Sequence, residues 1–97
     1  MLDILIYFLI ILTMNTVTWT KKAVKQLKRI HSADRKRIVK KVERLSEFPN
    51  VPLVKALTNH EHSYRLRVGN YRVIFNHEDA VKVIRIEEVK KRDGRTY

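Results

Sequence analysis

The chain has 97 residues, enough for one small domain with a single core. Its 21 lysines and arginines outnumber 10 aspartates and glutamates, giving a net charge of +11 and favouring a polyanionic partner: nucleic acid, an anionic membrane or an acidic protein. Zero cysteines exclude a disulfide framework and a thiolate metal site, and two glycines with two prolines exclude collagen-like or Pro/Gly-rich disorder.

Residues 1–13 read MLDILIYFLIILT, eleven of them hydrophobic and Asp3 the single charge. The uninterrupted run, residues 4–12, is about half the length that crosses a bilayer core. A secretory leader would carry lysine or arginine before that run and small residues at a cleavage site after it, and this segment has neither. Residues 1–13 are therefore expected to be an apolar extension upstream of a natural start at Met14, with residues 14–97 forming the single domain.

Residues 15–19 (NTVTW) alternate polar and apolar and predict a short first strand. Thr20 is placed to cap a helix whose apolar positions are Ala23, Val24, Leu27 and Ile30, with a basic opposite face (Lys21, Lys22, Lys25, Lys28, Arg29). Ser32 is expected to cap a second helix with Ile38, Val42 and Leu45 on one face, ending near Phe48 because Pro49 cannot continue it. Its outer face is also basic (Arg35, Lys36, Arg37, Lys40, Lys41, Arg44). The two helices form an antiparallel hairpin. Residues 50–62 show no period and are read as a loop with room for one helical turn.

The period then changes to two. Residues 63–68 and 71–76 predict two strands joined by Gly69-Asn70, a two-residue hairpin loop. His77-Glu78-Asp79 turns the chain into a third strand, residues 80–89. The predicted class is α+β: a short N-terminal strand, a two-helix hairpin, and a three-stranded antiparallel meander with the helices on one sheet face.

That hairpin fixes a register. Val68 faces Tyr71, Arg67 faces Arg72, Leu66 faces Val73 and Arg65 faces Ile74. Tyr64, Leu66, Val68, Tyr71, Val73 and Phe75 then share the core side, and Arg65, Arg67 and Arg72 share the other. Like charges directly opposed across a strand pair cost up to about 1 kcal/mol, so folding alone does not account for this face. Converging guanidiniums suit phosphate, to which each donates two parallel hydrogen bonds. A one-residue slip would send the arginines to the core side. The tail KKRDGRTY adds Lys90, Lys91, Arg92 and Arg95 and ends on Tyr97, whose phenol becomes an acid-base candidate beside cations. His31, His60, His62 and His77 lack metal-site spacing, and His60-Glu61-His62 reads as surface loop; no metal or cofactor is expected.

Three stretches, TWTKKAVKQLKRI, YRLRVGNYRVIF and VKKRDGRTY, resemble the RelE/ParE superfamily of toxins from type II toxin-antitoxin systems, across residues 15–97. The resemblance implies the RelE-like α+β fold and one of two activities. RelE-like members are ribosome-dependent mRNA endonucleases (mRNA interferases), whereas ParE-like members inhibit DNA gyrase and cut nothing. For the RelE-like branch it implies Arg67, Arg72, Arg92 and Tyr97 as catalytic residues, with Arg65, Lys90, Lys91 and Arg95 binding RNA phosphates. Arg65 and Arg67 stand where lysines are common in RelE, and the spacing from Arg92 to Tyr97 is one residue shorter. The implied partners are a cognate antitoxin, forming a hetero-oligomer, together with ribosome and mRNA in the cytoplasm; no stable membrane partner is expected. A basic module that binds RNA without cutting it is the third class, marked by steep salt dependence.

Overall fold

A computed structural model of the protein describes residues 2–92. In chain order it contains helix α1 (Leu2–Thr13), strand β1 (Thr16–Trp19), helices α2 (Lys21–Lys28) and α3 (Ser32–Glu43), and a 3₁₀ turn (Arg44–Glu47). Strands β2 (Val54–Ala56), β3 (Tyr64–Val68), β4 (Tyr71–Glu78) and β5 (Val83–Lys91) follow.

Thr20 caps α2 as its sequence position suggests. Its extended backbone lets Oγ1 accept the Ala23 N–H at 3.1 Å, while the same hydroxyl donates to the Glu87 carbonyl on β5 at 3.2 Å. One side chain thus starts the helix and ties it to the sheet. Helix α3 corrects the expected cap. Ser32 lies inside the first turn, and His31 Nδ1 accepts the Ala33 N–H at 3.3 Å, because an imidazole one residue earlier reaches that amide. Ile38, Val42 and Leu45 are buried at the predicted spacing, and the helical path stops before Pro49.

The sheet has five strands in the order β1-β5-β4-β3-β2, with β1 parallel to β5 and the other neighbours antiparallel. Two expectations need correction. Residues 50–62 hold a strand, β2, pairing Val54 with Leu66, Lys55 with Arg65 and Ala56 with Tyr64. Three residues are too few to show alternation, so pairing with β3 makes this strand rather than its own pattern. The turn after β4 also comes later than read: β4 runs through His77 to Glu78, and a 3₁₀ turn, Asp79–Val81, closes on Lys82 at φ 55° before β5 begins at Val83.

Hairpin register is as predicted at every pair. Gly69 has φ +55°, the left-handed value that a two-residue type II′ turn requires at its first loop position. Helices α2 and α3 cover one sheet face. Ala23, Ile38, Val42 and Leu45 pack there on Leu66, Val68, Val73, Phe75, Ile84, Ile86 and Val89, with Trp19, Tyr64 and Tyr71 at the margins. Each large apolar side chain buried so contributes about 1.5–3 kcal/mol.

On helix α1, Ile4, Leu5, Ile6, Tyr7, Phe8 and Leu9 are each more than half exposed and take no part in this core. No helix among the described residues is long and apolar enough to cross a membrane.

Candidate phosphate-binding face

The face of the sheet away from the helices is built from two cross-strand rows. Lys55, Arg65, Ile74 and Glu88 form one across β2, β3, β4 and β5; Arg67, Arg72 and Lys90 form the next across β3, β4 and β5. Period-two geometry puts these side chains on one side once Leu66, Val73 and Val89 point into the core. A bulge between Ile74 and Phe75 lets Phe75 pair with Ile86 while Ile74 pairs with Glu88. That shift brings Glu88 and Lys90 onto the arginine side.

Lys55, Arg65, Arg72 and Lys90 line a cavity of about 350 Å³ with Ile74 and His60, walled by residues 56–58. Ile74, 4% exposed, supplies an apolar surface within it. Charges over a low-dielectric surface act on a ligand more strongly than charges in water. Partial burial holds the Arg65 guanidinium below its ordinary pKa, and the positive charges of Arg67, Arg72 and Arg92 lower it further. Mutual repulsion of this kind is relieved by an anion. Arg65 Nη1 donates to the Leu53 carbonyl at 3.5 Å, and that carbonyl also accepts the Arg67 backbone N–H at 3.0 Å. The segment before β2 thereby braces two of the arginines.

Glu88 is the exception in sign. It is 5% exposed, and its Oε1 lies 2.9 Å from Lys22 Nζ and 3.6 Å from Lys90 Nζ. Burial alone would raise its pKa, but the two lysines outweigh burial and hold the carboxyl below its ordinary value. Glu61, His62 and Glu88 bring ligand atoms within 4.8 Å of one another, a spacing that a metal could bridge. The two ammonium groups already neutralise Glu88 there. Asn76 organises the neighbouring loop: its Oδ1 accepts the Ser63 N–H, and its Nδ2 donates to Glu87 Oε2 and to His62 Nδ1.

The sequence-derived set divides. Arg65, Arg67, Arg72 and Lys90 come together on one face. Arg92 follows β5, docks its backbone N–H on the Asn70 carbonyl, and is near enough for its charge to act on Arg65. Lys91 does not join them: it pairs with Tyr71 and lines a separate cleft with Gln26, Arg29 and His31 on the helix side. Arg95 and Tyr97 lie outside the described residues.

Three members were missed. Lys55 sits in the strand read as loop, and His60 in the segment read as surface. Glu88 had a signal: Ile84 and Ile86 keep one parity and Val89 breaks it, which marks a bulge at residues 87–88.

The model of the family "ParE toxin of type II toxin-antitoxin system, parDE" matches residues 17–94. The chain belongs to the RelE/ParE toxin family. Among solved structures, the toxin is similar to a chain of the archaeal RelE-RelB complex from Pyrococcus horikoshii, at 30% identity over 84% of this chain and 98% of that one, TM-score 0.69. The toxin-antitoxin complex RelBE2 of Mycobacterium tuberculosis shares the fold at 24% identity, TM-score 0.71, covering 81% of this chain and 99% of that one. The chromosomal ParDE system of Pseudomonas aeruginosa does so at 20% identity, TM-score 0.54, covering 84% and 99%. No curated protein sequence matches. As in these structures, the toxin is an α+β domain with helices packed on one sheet face.

Proposed function

We propose that this toxin is a ribosome-dependent mRNA endonuclease held inactive by a cognate antitoxin. The observation that carries the reading is the cavity in which Lys55, Arg65, Arg72 and Lys90 surround Ile74, beside the directly opposed pair Arg67 and Arg72, a concentration of cations suited to RNA phosphate. The 30% identity to an archaeal RelE supports the same branch.

The chemistry needs no metal. The ribose 2′-oxygen attacks the adjacent phosphorus, the new O2′–P bond forms as the P–O5′ bond breaks, and the products are a 2′,3′-cyclic phosphate and a 5′-hydroxyl. Arg67 and Arg72 hold the phosphate and offset the charge that grows on its oxygens in the transition state. Arg65 and Lys90 act as auxiliary cations. Tyr97, as the phenolate, takes the 2′-hydroxyl proton, and the departing O5′, supported by Arg92, takes a proton from water. The ribosome orients the mRNA. Residues 1–13 take no part, and the working chain starts at Met14.

Primer extension on mRNA from a translating extract tests this. The wild-type chain is expected to create new 5′ ends within codons, and Arg72→Ala and Tyr97→Phe to lower their yield by about 100-fold with the fold retained. Full cutting by both variants refutes the assignment. The family match favours a second reading, ParE-like inhibition of DNA gyrase. Under that reading, expression would cause DNA damage and filamentation while labelled methionine incorporation continues.

A further inference from the structure

Glu88 Oε1 is shared by two ammonium groups that come from different parts of the toxin. Lys22 Nζ, at 2.9 Å, belongs to the first turn of α2, has a side chain 62% exposed, and does not line the cavity. Lys90 Nζ, at 3.6 Å, belongs to β5 and lines it. The trio carries one negative and two positive charges. A carboxylate that is 5% exposed is costly without a cation, so it will hold whichever lysine remains. Its other titratable neighbours are Glu61 and His62, and Glu61 also attracts Lys22. With Lys22 in place, Lys90 can leave Glu88 for an incoming phosphate and the carboxylate stays neutralised. Without Lys22, that move would strand a buried charge.

We propose that Lys22 is a positioning residue which sets the phosphate affinity of the sheet-face cavity by neutralising Glu88 and so releasing Lys90. The inference rests on the cavity being a phosphate site, and it requires no cleavage. It gives an exposed helix position control over a site it does not touch.

The test is fluorescence anisotropy of the full chain with a labelled single-stranded RNA hexamer whose sugars are 2′-O-methyl, which cannot be cut because no 2′-hydroxyl is present. Lys22→Gln is expected to weaken binding about fivefold, and Lys22→Arg to stay within about twofold of wild type. Lys22→Gln with Glu88→Gln is expected to recover wild-type affinity, because a neutral Glu88 position no longer retains Lys90. Lys22→Gln with Glu43→Gln has the same net charge and is expected to stay weak. If Glu88→Gln does not fold, Lys90→Gln alone serves: Lys22 still neutralises Glu88, and binding should fall at least as far as in Lys22→Gln because the released cation is gone. The proposal is overturned by unchanged affinity in Lys22→Gln, by equal recovery in both double variants, by wild-type affinity in Lys90→Gln, or by no binding in the wild type. Failure of cleavage on ribosomes with these linkages intact would remove the nuclease reading and leave this one standing.

Discussion

Arg67 and Arg72 stand directly opposite each other across the β3–β4 hairpin, like charges at a position where a folding-driven sequence would place opposite ones. Like charges so opposed cost up to about 1 kcal/mol, a cost that a bound anion would offset. Arg67→Thr is therefore expected to raise stability by up to about 1 kcal/mol, read as a higher urea midpoint, while RNA binding falls. Equal or lower stability in the variant would refute the penalty.

Gly69→Val tests the hairpin loop. A Cβ at this position would meet only the Arg37 guanidinium, 3.8 Å away at its nearest atom, so space is not the obstacle. Its φ of +55° is, and for a β-branched residue the cost is about 1 kcal/mol or more. Thermal unfolding should show a lower midpoint, with Gly69→Asn milder than Gly69→Val because asparagine tolerates left-handed backbone.

Removing the Thr20 hydroxyl loses both the α2 cap and the link to the Glu87 carbonyl. Thr20→Ala should cost about 1–2 kcal/mol in chemical denaturation, and Thr20→Ser much less.

Glu88 and Lys22 give stability a pH dependence at both ends. The Glu88 carboxyl is below its ordinary value in the fold, so its contribution is complete above the unfolded value of about 4.3 and is lost as pH falls through the folded value. Lys22 is raised, chiefly by its hydrogen bond to Glu88, so its contribution is complete below about 10.4 and is lost as pH rises through the folded value. Glu88→Gln should flatten the urea midpoint against pH on both the acid and alkaline limbs. An unchanged profile would contradict the coupling.

A chain beginning at Met14 should unfold at the same midpoint as the 97-residue chain, since Ile4 to Leu9 bury nothing in the core. A fall of more than a few degrees would assign α1 a structural role.

The hairpin register and the arginine face were legible because Gly69-Asn70 fixes the loop, and a period of two then leaves no freedom over the five paired residues on either side. Thr20 and the Ile38, Val42, Leu45 spacing were legible for the same local reason. What escaped depends on partners distant in sequence. Lys55 belongs to a strand only because Arg65 is beside it, and Lys22 meets Glu88 only after α2 has packed on β5. His31 displaced Ser32 as cap through a single ring nitrogen, which propensity does not rank.

Strand β5 is last in the chain and second in the sheet, with β1 on one side and β4 on the other. During synthesis the earlier strands therefore wait with two unfilled edges until β5 emerges, and the cavity, which needs Lys90, does not exist before then. A chain ending before Val83 is therefore expected to lack the cavity and to leave the edges of β1 and β4 unpaired.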